Sequence, residues 1–411
     1  MRKAISVLLK LFVFTSFFVA TAIGQSNYSE FLNESDEHKK AEIGLELIEY
    51  YTRKDVDSLK VIAAELLMSD SDEEVELSKV VGDYSLGVYF SRKGQIKEGV
   101  ECLKRSLHYF QRRMDFDNSS LILNQLGNSY VLDGEYMNAI QFYIKSLDVG
   151  LRAVDEEYQY VGKIGLSKSY FFLGDTVKGI SMMLQYKNDA LKFGRFEAAA
   201  NAFSILGMVE LDRGEIQKSL QFFEKSIALG LKSKSLMQLS HVYTNKAIVF
   251  FTIDELDSSL VYFEKALKTR VKLNNPRQIT EAYFNLTSYY TEQGLYEEAL
   301  VPAHATLNIA IENNLIVDEV DAYDLLKEIY AGLGEVEQLA KLKTKQDAVK
   351  LELDNKQQLD KELIEYLQQL SNEPTERKIK SEIASKKPIW IIGLLIVFIL
   401  FGGLFLKKFT T

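Results

Sequence analysis

The side chains that most often carry out catalysis or bind metals are scattered along this sequence. None of the four histidines (His38, His108, His241 and His304) has a second ligand at metal-site spacing. Cys102 is the single cysteine, so no disulfide or CxxC motif can form within the chain. Carboxylate pairs such as Glu156-Glu157 and Glu297-Glu298 lie in predicted loops or at helix starts, where acids are favoured. HExxH motifs, phosphate-binding loops and nucleophile elbows are missing. The sequence therefore predicts a protein that is not an enzyme and has no cofactor and no metal site.

What recurs instead is a turn residue every 40 residues. Its seven positions are Gly94, Gly134, Gly174, Gly214, Asp254, Gly294 and Gly334. Self-similarity at a fixed period indicates an array of one supersecondary module. Glycine ends a helix easily because it adopts a positive φ without steric penalty, and aspartate is among the few other residues that tolerate this conformation.

Small and bulky residues flank each turn at helical spacing. Four residues before it stand Phe90, Tyr130, Tyr170, Glu210, Phe250, Tyr290 and Tyr330, and seven before it stand Gly87, Gly127, Ser167, Gly207, Ala247, Thr287 and Lys327. Five residues after it stand Gly99, Ala139, Gly179, Ser219, Ser259, Ala299 and Leu339, and nine after it stand Leu103, Tyr143, Met183, Phe223, Phe263, Ala303 and Lys343. Steps of three and four residues place each set on one helix face. The pattern predicts helix-turn-helix hairpins whose two helices meet at the small residues.

This pattern resembles the tetratricopeptide repeat (TPR) family. The resemblance is carried by Leu126-Gly127, Tyr130, Gly134, Tyr136 and Ala139, and by Leu206-Gly207 with Gly214 and Ile216. The usual unit has 34 residues and this one has 40, as in variants with extended second helices; a period of 40 also suits HEAT-type arrays. The late proline of the family pattern is missing. The resemblance implies an all-α fold, a right-handed α-solenoid of seven units over residues 80–345.

The N-terminal residues predict export. Residues 1–24 read as a signal peptide, because Arg2 and Lys3 precede an apolar run that ends in small residues. An uncleaved anchor is the alternative. Residues 25–79 are expected to form N-terminal capping helices, with a degenerate hairpin between residues 40 and 70.

The C-terminal residues predict a membrane anchor. Residues 388–406 carry no charge and are flanked by lysine pairs, and a helix of this length covers the hydrocarbon core of about 30 Å. We expect a single-pass transmembrane helix in the cytoplasmic (inner) membrane, with residues 407–411 as a cytoplasmic tail. The repeats would then lie in the periplasm or otherwise outside the cytoplasm.

Residues 346–387 are predicted to form a helical stalk and linker. Apolar residues recur between Lys341 and Leu370 roughly at heptad positions, interrupted by Lys356 and Asp360. They are Leu342, Val349, Leu353, Leu363, Leu367 and Leu370. Two arrangements stay open, a parallel homodimer through the stalk and packing of the stalk against the last hairpin.

The TPR resemblance also implies where a partner binds. In that family the concave surface, or groove, is lined by fixed positions of the first helix of each unit. Here these positions are Asn124, Gln125, Asn128, Lys168, Asn201, Ser204, His241, Thr244, Asn245, Phe284, Asn285 and Ser288. Amide side chains donate and accept hydrogen bonds at once, which suits them to the backbone of an extended peptide. A net charge of -9 argues against nucleic acid as the partner.

Two functions remain open from the sequence. In the first, the chain is a non-catalytic membrane-anchored TPR scaffold that binds a protein or peptide on the extracytoplasmic side. The architecture is also similar to the extracytoplasmic half of bacterial membrane-anchored TPR sensor proteins. In the second, the chain is therefore a sensor or receptor subunit of a signal transduction system, of the histidine kinase or helix-turn-helix regulator type. Its output domain would then be missing or on another chain.

Overall fold

The computed structural model describes residues 22–68, 75–154, 158, 160 and 162–372. Regular structure in these residues is helical, and no strand occurs among them. The seventeen α-helices are α1 (Ala22–Asn33), α2 (Glu37–Lys54), α3 (Asp57–Leu67), α4 (Val75–Arg92), α5 (Ile96–Arg112), α6 (Phe116–Leu132), α7 (Tyr136–Gly150), α8 (Gly162–Phe172), α9 (Thr176–Lys192), α10 (Phe196–Asp212), α11 (Ile216–Ser233), α12 (Leu236–Thr252), α13 (Leu256–Leu273), α14 (Pro276–Glu292), α15 (Tyr296–Glu312), α16 (Ile316–Leu333) and α17 (Val336–Asn372).

Each predicted turn residue joins the two helices of a hairpin. All seven have a positive φ, between 62° at Asp254 and 83° at Gly94. The predicted role of Asp254 as a substitute for glycine is therefore confirmed. When each repeat is numbered with its turn residue as position 15, repeats one to seven start at residues 80, 120, 160, 200, 240, 280 and 320.

A second series of left-handed residues, which the sequence analysis did not identify, lies between hairpins. Its members are Met114, Gly194, Lys234, Asn274 and Asn314, with φ between 52° and 70°. Side-chain caps start several of the helices that follow: Asp115 accepts from the backbone N–H of Asn118 at 3.0 Å, and Asn275 accepts from that of Gln278 at 3.2 Å. The chain therefore reverses about every 20 residues over much of its length.

Small residues at position 8 allow the two helices of a hairpin to approach closely. A Cβ placed on Gly127 would lie 2.6 Å from the Tyr143 ring, and one on Gly207 would lie 2.7 Å from the Phe223 ring. Repeat six shows the opposite arrangement, with Thr287 at position 8 and Ala303 at position 24. In repeats two, four and six the sizes of these two positions therefore compensate each other.

A hydrogen bond from position 27 to the backbone carbonyl of position 1 recurs in four repeats. Ser106 donates to Val80 at 2.7 Å, Ser146 to Ser120 at 2.9 Å, Ser226 to Ala200 at 2.7 Å and the Gln346 amide to Val320 at 3.1 Å. The three serines are fully buried. Each bond satisfies a buried polar side chain and ties the second helix to the start of the first.

The chain divides into two compact bodies. The first comprises the described residues up to 106 together with 364–372; Phe31, Ile48 and Ile62 are fully buried in it. The second comprises residues 107–363 and contains the hairpins of repeats two to seven.

Helix α17 is the second helix of the last hairpin and continues to Asn372. Leu342 and Val349 pack against the apolar cluster of the last repeats, so this part of the predicted stalk lies against its own chain. The last residues of α17 belong to the first body. There Ser371 donates to Asp83 and accepts from Arg105, which itself forms an ion pair with Asp83 at 2.8 Å.

The predicted signal peptide and transmembrane segment fall almost entirely on residues that the structure does not describe. These are residues 1–21 of the first and all of 388–406. Among the described helices, none combines the length and the apolar character needed to cross a bilayer.

Candidate protein-binding surface

The predicted groove residues all lie on the first helices of five successive hairpins. Helix α6 carries Asn124, Gln125 and Asn128, helix α8 carries Lys168, helix α10 carries Asn201 and Ser204, helix α12 carries His241, Thr244 and Asn245, and helix α14 carries Phe284, Asn285 and Ser288. Lys168, His241 and Phe284 are exposed, Ser204 is buried, and the other eight are partly buried.

Three of the predicted amides, Gln125, Asn128 and Asn245, are hydrogen-bonded inside the protein. The Tyr143 hydroxyl donates to Asn128 Oδ1 at 2.7 Å, and Asn128 Nδ2 donates to Gln125 Oε1 at 3.0 Å. Asn245 Nδ2 donates to Ser204 Oγ at 3.0 Å and so links α12 to α10. These bonds hold the helices in register, and they use hydrogen-bonding capacity that the sequence analysis had assigned to a ligand.

Three other amides retain their capacity. The side chains of Asn201 and Asn285 make no hydrogen bond to any described residue. Asn124 Oδ1 is buried and also has no partner there. An amide with free donors and acceptors can bind both the N–H and the C=O of a peptide backbone.

His241 lies beside a buried cation. His241 is exposed as a whole residue, yet partial desolvation of its ring lowers its pKa, and the nearby Arg270 guanidinium lowers it further. Arg270 is 1% exposed; it donates to Glu281 Oε1 at 3.1 Å and to the backbone carbonyl of Gln278 at 3.3 Å. Both effects favour the neutral imidazole, in which one ring nitrogen donates a hydrogen bond and the other accepts one.

A second polar cluster, built by α11, α12 and α13, was missed in the sequence analysis. It centres on Lys246, which is 5% exposed. Its ammonium group forms an ion pair with Glu224 and donates to the Tyr262 hydroxyl at 2.8 Å. The ammonium also lies 4.4 Å from the centre of the Tyr262 ring and 5.8 Å from that of Phe250, within cation–π range.

The sequence does contain a signal for this cluster. Lys246 stands at position 7, where the other six repeats have leucine: Leu86, Leu126, Leu166, Leu206, Leu286 and Leu326. All six leucines are buried. Burial opposes the charged form of Lys246, yet its hydrogen bonds to Glu224 and Tyr262 more than offset this, and the pKa of Lys246 is raised. Lys246 is therefore a charged residue at a core position.

No protein-family model matches the chain, and no curated protein sequence matches it. Several solved structures are similar in shape. Aspartyl phosphate phosphatase F from Bacillus subtilis has 11% identity and a TM-score of 0.48, covering 81% of this chain and 96% of that one. The apo form of the quorum sensor NprR from B. thuringiensis has 15% identity and a TM-score of 0.48, covering 79% and 91%. The signal transduction ATPase with a tetratricopeptide repeat sensor from Pyrococcus horikoshii has 14% identity and a TM-score of 0.47, covering 84% and 56%. The paired helices and the 40-residue turn period are those of a TPR-type helical repeat fold.

Proposed function

We propose that this protein is a non-catalytic scaffold that binds a protein or peptide segment along the first helices of its repeats. The observation that carries the proposal is the uncommitted pair of amides at Asn201 on α10 and Asn285 on α14. Peptide backbones present an N–H and a C=O at each residue, and a free amide binds both.

A protein partner fits the electrostatics better than a nucleic acid. The chain has 49 basic and 58 acidic residues, a net charge of -9. Nucleic-acid binding draws most of its free energy from lysine and arginine contacts to phosphates, so an acidic chain is poorly suited to it.

The proposal includes a membrane tether through residues 388–406, with the repeats on the extracytoplasmic side. Its support is the uncharged run of these residues between two lysine pairs. The chain is expected to stay with the membrane pellet after alkaline carbonate washing, and protease added outside spheroplasts is expected to digest the repeats. Release by carbonate, or protection of the repeats, would contradict the tether.

The binding proposal is tested with two pairs of substitutions. The first pair, Asn201→Ala with Asn285→Ala, removes the two free amides. The control pair, Asn188→Ala with Asn308→Ala, removes two exposed amides on the second helices α9 and α15, whose side chains also make no hydrogen bond to a described residue. Neither pair breaks an internal hydrogen bond, so both are expected to melt as the wild type does.

The measurement is quantitative mass spectrometry of proteins captured by the immobilised chain from detergent-solubilised membranes. For proteins bound through the first helices, the captured amount is expected to fall about tenfold or more with the first pair, because two hydrogen bonds are lost. The control pair is expected to capture them unchanged. Equal capture by both pairs would refute the proposal. A histidine kinase or a helix-turn-helix regulator among the lost proteins would favour a sensor subunit over a general scaffold.

A further inference from the structure

Lys246 is costly to accommodate. Moving an ammonium group out of water is unfavourable unless it is paired and hydrogen-bonded, and leucine at position 7 avoids this cost in every other repeat. A lysine at one such position therefore calls for a reason beyond packing.

The ammonium group is held on one side by aromatic rings. The Phe250 and Tyr262 rings stack with their centres 5.4 Å apart, and the Tyr243 ring lies 6.2 Å from that of Tyr262. These three rings are partly exposed. They form a partly exposed aromatic surface next to the ammonium group, which lies 4.4 Å from the centre of the Tyr262 ring and 5.8 Å from that of Phe250.

The charge partner of Lys246 is a surface side chain. Glu224 is 61% exposed, whereas the side chain of Lys246 is 6% exposed. An exposed glutamate is flexible and well hydrated, so another carboxylate can replace it at low cost. An ammonium group has three N–H donors, and only Glu224 and Tyr262 accept from Lys246 among the described residues. One donor is left for a ligand.

A second cation lies on the same ring. The exposed Lys265 ammonium is 4.4 Å from the centre of the Tyr262 ring. It adds a positive charge to the outer side of the cluster and attracts an anion towards Lys246.

We propose that the cluster of Lys246, Tyr262 and Lys265 binds a carboxylate group of an acidic segment of a partner protein, and that this carboxylate displaces Glu224. The proposal rests on the proposed function in that the ligand is a protein, and it names the chemistry of that ligand. The site lies between α11, α12 and α13, and it uses none of the predicted groove residues.

The test measures binding of fluorescein-labelled poly-L-glutamate to the full chain in detergent micelles by fluorescence anisotropy. Lys246→Leu restores the residue of the other six repeats, so the variant is expected to fold. It is expected to bind at least about tenfold more weakly, because a charge-assisted hydrogen bond is lost. Glu224→Gln removes the competing carboxylate and is expected to bind more tightly. Lys345→Gln, which removes an exposed charge on a different helix, α17, is expected to bind as the wild type does.

Several outcomes would overturn the proposal. These are no binding by the wild type, equal binding by Lys246→Leu, or weaker binding by Glu224→Gln, which would mean that the ion pair only stabilises the fold. Free glutamate is expected to compete poorly; competition as strong as that of the polymer would identify a small-molecule site instead. A labelled oligothymidylate that binds with the same dependence on Lys246 would assign the site to nucleic acid.

The same assay separates this proposal from the proposed function. The variant Asn201→Ala with Asn285→Ala is expected to bind poly-L-glutamate normally while losing its captured partners. If Lys246→Leu binds poly-L-glutamate normally but the asparagine pair still loses partners, the carboxylate site is wrong and the binding scaffold stands. If the asparagine pair captures partners normally but Lys246→Leu fails to bind the polymer, binding along the first helices is wrong and the carboxylate site stands.

Discussion

The size compensation between positions 8 and 24 predicts that two damaging substitutions in repeat four rescue each other. The substitutions are Gly207→Thr and Phe223→Ala, which together give repeat four the pair found in repeat six, Thr287 and Ala303. Gly207 and Phe223 face each other so closely that a Cβ on the glycine would lie 2.7 Å from the ring.

The magnitudes follow from overpacking and cavity formation. Gly207→Thr forces the Phe223 ring to move and is expected to lower the free energy of unfolding by about 1–3 kcal/mol. Phe223→Ala removes a fully buried ring and is expected to cost about 3–5 kcal/mol. Without coupling the double variant would lose about 4–8 kcal/mol. Because the threonine side chain occupies part of the cavity and no longer meets the ring, we expect the double variant to lose about 1–3 kcal/mol less than that sum.

Native-state hydrogen exchange of amides in α10 and α11 is the suitable assay, since it reports the free energy of local opening in a repeat array. Gly207→Thr combined with Phe263→Ala serves as the control, because these residues lie in different repeats and their effects are expected to add within about 0.5 kcal/mol. Additivity of the Gly207 and Phe223 substitutions within the same margin would refute the compensation.

Three further predictions concern other parts of the chain. Burial raises the pKa of the Cys102 thiol to about 11. An aromatic disulfide reagent at pH 8 is therefore expected to label Cys102 only after denaturant is added, and rapid labelling of the native chain would contradict its burial. Met114→Gly is expected to stabilise the protein by about 1 kcal/mol, because methionine is strained at a φ of 54°, whereas Asn274→Gly should change little; calorimetry that shows equal effects would argue against left-handed strain. Arg105→Ala leaves the Asp83 carboxylate buried without its cation and is expected to lower the free energy of unfolding by about 3–5 kcal/mol. Adding Asp83→Leu should recover much of this loss in urea titrations, and no recovery would mean that Arg105 acts through packing alone.

The turns inside the hairpins could be predicted from the sequence because the residue at position 15 is set by local backbone geometry. Glycine and Asp254 are residues that tolerate a positive φ. The turns between hairpins could not be predicted in the same way. Met114 and Lys234 are not residues that favour a left-handed conformation, so at these positions the packing of the helices overrides local preference.

The candidate groove was predicted only in part. Assignment of Asn128 and Asn245 to first helices follows from the spacing, but their partners Tyr143 and Ser204 come from other helices. Such tertiary hydrogen bonds leave no periodic trace in the sequence. Whether an amide is free or already bonded therefore became visible only in the structure.

The apolar seam of α17 shows the same limit. A heptad pattern states which face of a helix is apolar, and it does not state what covers that face. The structure places Leu342 and Val349 against the last repeats, whereas the sequence left both a homodimer and intrachain packing open. The homodimer through the remaining stalk residues stays a prediction.

The hydrogen bond from position 27 to position 1 has a consequence for how such an array changes in evolution. Its acceptor is a main-chain oxygen, as at Val80, Ser120 and Ala200, so the side chain there is free to vary while the bond survives. Donor and acceptor belong to the same repeat, so a gene duplication or deletion of one complete 40-residue block would carry the whole bond with it. Repeat number can therefore change by unequal recombination without loss of this bond, and we expect functional homologues of different length that differ by whole blocks.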